Sequence, residues 1–131
     1  MENNVTEFIV IDDDRINNML CQQIIKHIIP GASIMTFIYP EEGIAYLCSK
    51  YTLPGANNVV LFLDINMPVL NGWEVLEELK CCVLTGNQYI KIFMLSSSVD
   101  PHDKEKAEKS PLVSGFIEKP LTILNVRAVI N

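Results

Sequence analysis

The sequence predicts a doubly wound α/β domain built on a five-stranded parallel sheet. Short apolar runs alternate along the chain with stretches of helical period, and two of the runs are almost continuously apolar. Alternation of this kind joins parallel strands through right-handed crossovers and sets helices on both faces of the sheet. Strands covered on both faces lose the usual in-and-out alternation and read as unbroken apolar runs.

The first run is Phe8 to Ile11. After it, Ile16, Met19, Leu20, Ile24, His27 and Ile28 fall at i, i+3, i+4 and i+8 spacing, one face of a helix. Ser33 to Tyr39 is a weaker run that mixes in Ser33 and Thr36, as an edge strand does. Ile44, Leu47 and Cys48 mark a second helix, and Trp73, Leu76, Leu79 and Lys80 a third. Between these two helices stands Val59 to Leu63, and after them Ile90 to Leu95, the two almost continuously apolar runs. Asp100-Pro101 reads as an N-cap followed by proline at the first helical position, opening a polar helix to about Lys109. Gly115 to Ile117 is the last strand, and Thr122 caps a last helix through Ile130. The order 2-1-3-4-5 suits this pattern, with the first, third and fourth strands central.

The 131 residues hold one domain, residues 1-131, which buries roughly two thirds of its unfolded surface. The chain is 49% apolar and 20% charged, which excludes a disordered one. A net charge of -6 argues against direct nucleic-acid binding, which needs a basic face. No apolar run approaches the roughly 20 residues of a membrane span. Met1 to Asn4 lacks the basic and apolar regions of a signal peptide, so a cytoplasmic protein is expected. Cys21, Cys48, Cys81 and Cys82 show no C-x-x-C spacing and read as buried or inert thiols, not a metal or redox site. His27 and His102 read as solvated or helix-end residues.

The chemistry collects after the runs. Phe-Ile-Val-Ile leads into Asp12, Asp13 and Asp14, and Val-Val-Leu-Phe-Leu into Asp64. Ile-Phe-Met-Leu ends at Ser96, Ser97 and Ser98, and Gly-Phe-Ile-Glu at Lys119 and Pro120. The carboxyl ends of parallel strands share one rim, where ligands of such sheets bind. Two carboxylates about 4 Å apart repel by about 4 kcal/mol at an effective dielectric near 20. Gathering Asp12, Asp13 and Asp64 is therefore unfavourable unless a cation or a proton sits among them, and the cation that suits an all-oxygen site handling phosphate is Mg2+. Lys119 adds a compact positive charge, and Ser96 a hydroxyl able to donate to a phosphoryl oxygen. Singly, each has an ordinary explanation: helix-capping acids, a turn aspartate, a serine loop. Together, at successive strand ends, they point to a site.

These residues resemble the receiver domains of two-component response regulators. The matching segments are Phe-Ile-Val-Ile-Asp-Asp-Asp, Leu-Asp-Ile-Asn-Met-Pro followed by Asn71-Gly72, Met-Leu-Ser-Ser-Ser, and Gly-Phe-Ile-Glu-Lys-Pro, spanning Phe8 to Pro120 in the family's order. The resemblance implies a flavodoxin-like sheet of order 2-1-3-4-5 and names Asp64 as the residue phosphorylated by phosphohistidine. It implies Mg2+ held by Asp12, Asp13, Asp64 and the main-chain carbonyl of Asn66, with Asp13 a direct ligand and Asp12 acting through water. Asp14 matches a variable position. Lys119 would pair with a phosphoryl oxygen, before a candidate cis bond to Pro120. Ser96 and Phe116 take the family's switch positions, with the Ser97 N–H as a further donor. Phenylalanine lacks the hydroxyl of the tyrosine often found there. Asn66 and Ser98 occupy positions that tune dephosphorylation.

The implied partners are a sensor histidine kinase or a histidine phosphotransfer protein, and a downstream protein, with no output domain in the chain. A monomer or a phosphorylation-linked dimer is compatible with this, as is a catalytic role limited to the domain's own phosphorylation and dephosphorylation. One rival is a haloacid-dehalogenase-type phosphatase, but Ile16 stands where its motif wants Thr or Val, and Asp64 would be left without a role. Another is a receiver-like fold that no longer takes phosphate.

Overall fold

The computed structural model describes residues 5–51, 58–84, 89–98 and 100–130; Met1 to Asn4, read above for signal features, and Asn131 lie outside them. The elements are β1 (Glu7–Ile11), α1 (Arg15–Ile28), β2 (Ile34–Phe37), α2 (Pro40–Lys50), β3 (Val59–Asp64) and α3 (Gly72–Leu79). A π-helical turn, Lys80–Leu84, continues α3, and β4 (Ile90–Ser96), α4 (Pro101–Lys109), β5 (Gly115–Glu118) and α5 (Ile123–Ile130) follow. Every strand pairing is parallel and the sheet runs β2-β1-β3-β4-β5, the predicted class and order.

Every residue of β3 is buried, as its apolar run requires, and so is every residue of β1; in β4 the run is covered on both faces except at Lys91, which is exposed, and Phe93, which is half-buried. Their period of two sorts side chains onto two cores. Ile9, Ile11, Leu61, Leu63, Ile92 and Met94 face Leu47 of α2 and Val75 and Leu79 of α3. Phe8, Val10, Val60, Phe62 and Leu95 face Cys21 and Ile25 of α1 and Val126 of α5. In the second core Phe62 stacks on Phe8 at 6.5 Å between ring centroids and tilts against Phe93 at 5.9 Å. Burying one such side chain contributes roughly 1.5–3 kcal/mol. Edge strand β2 is only partly buried, as its mixed composition foretold.

The helices begin where short polar side chains cap them. Asp14 accepts from the N–H groups of Ile16 and Asn17, and Asp100 from that of His102 ahead of Pro101. Asn71 and Glu74 form a reciprocal capping box on α3, and Thr122 accepts from the Asn125 N–H as the sequence predicted.

Two expectations are corrected. The apolar stripe of α1 is buried only in part: Ile24 and Ile28 pack against the second core, but Ile16, Met19 and Leu20 stand 44–64% exposed, while Asn17, Asn18, Cys21 and Ile25 are buried. Periodicity tells which side chains share a face, but what the helix packs against decides which face turns inward. Here the polar rim of the sheet does so. The thiols are corrected too. Cys48 on α2 and Cys82 on the π-helical turn are joined in a disulfide, with Cα atoms 5.7 Å apart across 34 residues of sequence. That proximity arises from α2 packing beside α3 and leaves no mark in local spacing. Cys81 is free and exposed. Cys21 is free and buried, and burial, with the nearby charge of Asp12, raises its pKa to about 12. Alkylation of the folded, unreduced protein by iodoacetamide is therefore expected to modify Cys81 alone, with Cys48 and Cys82 added after reduction; peptide mass analysis checks this, and labelling of Cys48 without reductant would contradict the pairing.

At the amino end of the sheet, Glu7 is a buried carboxylate whose oxygens accept from the Tyr51 hydroxyl at 2.6 Å and the Tyr46 hydroxyl at 2.7 Å. Lys50 closes the knot at 3.4 Å, fastening the end of α2 to the base of β1. His27 and His102 are exposed, in line with the sequence reading.

Candidate functional site

Strand register brings the site together. Ile11 pairs with Leu63 and Ser96 with Glu118, so the next residues, Asp12, Asp64 and Lys119, emerge on one rim beside Ser96. Adjacent strands lie about 4.8 Å apart, which sets side chains at their ends within contact distance. Asp12, Asp13 and Asp64 each offer a carboxylate oxygen within 4.8 Å of the others. Asp12 is fully buried and Asp64 nearly so, whereas Asp13 is exposed.

Lys119 bridges the two buried acids. Its Nζ lies 2.7 Å from Asp12 Oδ2 and 3.0 Å from Asp64 Oδ1. Its N–H donates to the Ser96 carbonyl at 2.8 Å, and its bond to Pro120 is cis. Burial pulls the lysine pKa down, but the bonds to Asp12 and Asp64 outweigh it and the net direction is upward. Burial, then the charge of Asp12, raises Asp64 to about 6 against the pull of Lys119. The charged form of Asp64 is thus costly in the absence of a further cation.

The acids divide by role. Asp14, set apart in the sequence reading, caps α1. Asp12 accepts from the Asp14 N–H at Oδ1 and from Asn17 Nδ2 at Oδ2. Ser96 is fully buried, and its hydroxyl donates to the Ser98 carbonyl at 2.6 Å. Phe116 is half-buried beside Ala107 of α4, Asn66 lies exposed in the loop after Asp64, and Ser97 and Ser98 are exposed. Every predicted site residue therefore lies on this rim or in the segments leaving it, except Phe116, which sits within β5.

Two supporting residues, Asn17 and Asn18, were not foreseen, and a third, Gly72, was met only as part of a motif. Asn17 and Asn18 reach Asp12 from α1, the first through the carboxylate and the second through the main-chain carbonyl at 2.9 Å. A stripe drawn through Cys21 and Ile25 instead of Leu20 and Ile24 would have found them. Gly72 opens α3 so tightly against β3 that a Cβ there would lie 2.6 Å from the Asp64 carbonyl oxygen and 3.0 Å from Ile65 Cα.

Comparison with known proteins gives the same picture. The family model described as response regulator receiver domain matches residues 8–131. No curated protein sequence matches. Among solved structures, a two-component response regulator from Cytophaga hutchinsonii is 31% identical, with TM-score 0.86, over 96% of this chain and 94% of that one. A response regulator receiver protein from Dyadobacter fermentans is 29% identical, with TM-score 0.81, over 94% and 93%. The chemotaxis protein CheY4 of Vibrio cholerae, 18% identical with TM-score 0.73 over 95% of each chain, shares the fold. With the family match running from the first strand to the chain end and the strand-end residues meeting on one rim, the chain belongs to the response regulator receiver domains of two-component signalling.

Proposed function

We propose that Asp64 accepts a phosphoryl group from phosphohistidine on a sensor kinase or a histidine phosphotransfer protein, and that a downstream protein reads the change. The observation that carries this is the gathering of three carboxylate groups within 4.8 Å, with one ammonium bonded to two of them. Receiver domains bind Mg2+ at an acidic cluster of this kind. The donor set fits: it is all oxygen, and the exposed Asp13 leaves room for retained water. Asp12, Asp13, Asp64 and the Asn66 carbonyl would hold the ion, which when bound neutralises charge on the transferring group.

In the transfer an Asp64 oxygen attacks phosphorus, the P–N bond breaks with its electron pair leaving on the imidazole, and an aspartyl phosphate forms. Lys119, already at 3.0 Å from Asp64, pairs with a phosphoryl oxygen. The Ser96 hydroxyl leaves the Ser98 carbonyl and donates to another, joined by the Ser97 N–H, and Phe116 moves with the loop. Two packings thus exchange population, biased by their different affinity for the phosphoryl group. Water later removes that group at the same site, the domain's only turnover.

Ile16, Met19 and Leu20 on α1, Val69 after β3 and Leu124 at the start of α5 are exposed by 44–76% in segments that leave the same rim. Large apolar side chains exposed together mark an interaction surface. They support docking of the histidine-bearing partner across the acids, and a cytoplasmic location accords with such a partner.

Intact mass after incubation with acetyl phosphate tests the reading. One added phosphoryl group, formed with Mg2+ and absent without it, is expected. No adduct under rapid quench, on folded protein, would overturn it.

A further inference from the structure

We propose that Asn17 is a positioning residue of the phosphoacceptor site, its side-chain amide holding the Asp12 carboxylate in the orientation that Mg2+ binding needs. The inference rests on the receiver reading above and adds a residue to it.

Asp12 is fully buried, and three donors surround its carboxylate. The Asp14 N–H reaches Oδ1 at 2.9 Å, while Lys119 Nζ and Asn17 Nδ2 share Oδ2 at 2.7 and 2.6 Å. Lys119 is committed elsewhere during transfer, because it also holds Asp64 and must turn to the incoming phosphoryl group. When it turns, Asp12 Oδ2 keeps Asn17. A buried carboxylate left with an unfilled oxygen would rotate or draw Lys119 back, so the amide frees the lysine while holding the acid still.

The disposition of α1 bears this out. The helix buries Asn17 and Asn18 while leaving Ile16, Met19 and Leu20 in solvent. Burying two amides in place of apolar side chains is unfavourable unless they are bonded. Asn17 bonds the Asp12 carboxylate; Asn18 donates from Nδ2 to the carbonyls of Asp12 and Phe37 at 2.9 and 3.4 Å, while its buried Oδ1 finds no hydrogen-bond partner among the described residues. The amide of Asn17 also reaches the Cys21 sulfur, a weak acceptor, at 3.7 Å. Asp12 is thus the partner that accounts for an amide at this position. Hydrogen-bond partners of acidic ligands commonly set metal affinity, with losses of roughly ten- to hundredfold when removed.

The test compares wild type, Asn17→Leu, Asn17→Ala and Ile25→Val, the last altering the same buried face of α1 about two turns away from Asn17. Mg2+ affinity is measured by calorimetric titration, phosphorylation by acetyl phosphate across a Mg2+ series, and folding by melting temperature. Asn17→Leu is expected to weaken Mg2+ binding about tenfold and to recover most of its phosphorylation rate at saturating Mg2+. Ile25→Val is expected to lower the melting temperature and leave Mg2+ affinity unchanged. Should Asn17→Leu fail to fold, Asn17→Ala carries the same comparison. Wild-type Mg2+ affinity in a folded Asn17 variant overturns the proposal, as does a rate loss that saturating Mg2+ does not repair. Failure of the wild type itself to bind Mg2+ or take a phosphoryl group would instead remove the receiver reading beneath it.

Discussion

Asp64→Asn is expected to abolish the acetyl phosphate adduct and, in the same protein, to raise its stability at neutral pH without Mg2+. The first effect follows from the role proposed for Asp64, whose carboxylate oxygen would make the attack. The second follows from where that carboxylate sits. Asp64 is nearly fully buried, and burial together with the charge of Asp12 moves its pKa from 3.8 to about 6. A raised acid pKa means that the fold disfavours the ionised form. The penalty is absent below about pH 4, where the group is protonated folded or unfolded, and grows until it is complete above about pH 6. Removing it stabilises the folded state on the order of 1 kcal/mol, once solvent screening of the carboxylate is allowed for, or a few degrees in melting temperature. Melting curves of both proteins in chelator across that range check the sign: the gap should open as pH rises. A persisting adduct would mean that another residue is the acceptor. A gap that closes with rising pH would mean that the buried charge is not the unfavourable form.

Gly72→Ala is expected to cost about 3 kcal/mol and to slow phosphorylation, although residue 72 carries no reactive group. The added methyl would meet the Asp64 carbonyl oxygen at 2.6 Å, Ile65 Cα at 3.0 Å and the end of the Met94 side chain at 2.9 Å. Methionine can move aside, but the two backbone atoms belong to the strand end that aims Asp64. Relief must come from moving α3 outward or β3 inward. The Gly72 N–H bond to the Ile65 carbonyl, 2.8 Å, and the Asn71–Glu74 capping box resist the first. Thermal melting and the acetyl phosphate rate measure both effects. An alanine variant with wild-type values in each would show that the strand end has slack.

Much of this was legible because parallel strands buried on both faces must read as unbroken apolar runs, and because their ends must share a rim. Val59 to Leu63 and Ile90 to Leu95 announced the centre of the sheet, and the polar residues after them announced the site. Asp100 and Thr122 announced their helices, since capping is a local transaction between neighbours in sequence. What stayed hidden depends on distance in space. The α1 stripe pointed to Ile16, Met19 and Leu20, but the helix sits on a polar rim, so Asn17 and Asn18 face inward. Cys48 and Cys82 meet only because α2 and α3 pack side by side. Glu7 precedes the Phe8 to Ile11 run, and nothing near it in sequence foretells its bonds to Tyr46 of α2 and Tyr51 just past the helix end.

That glutamate changes how β1 can be inserted into the sheet. The strand carries a buried acid at its foot, Glu7, and another just past its head, Asp12, with four apolar residues between. A slip of one residue against β3 would exchange the two faces and pull one of those acids in among Leu61 and Leu63, or Val60 and Phe62. Either shift strands a carboxylate away from its donors, the two tyrosines and Lys50 below or Lys119 and Asn17 above. A strand of aliphatic residues alone would tolerate misalignment. This one admits a single pairing, and the same pairing delivers Asp12 beside Asp64.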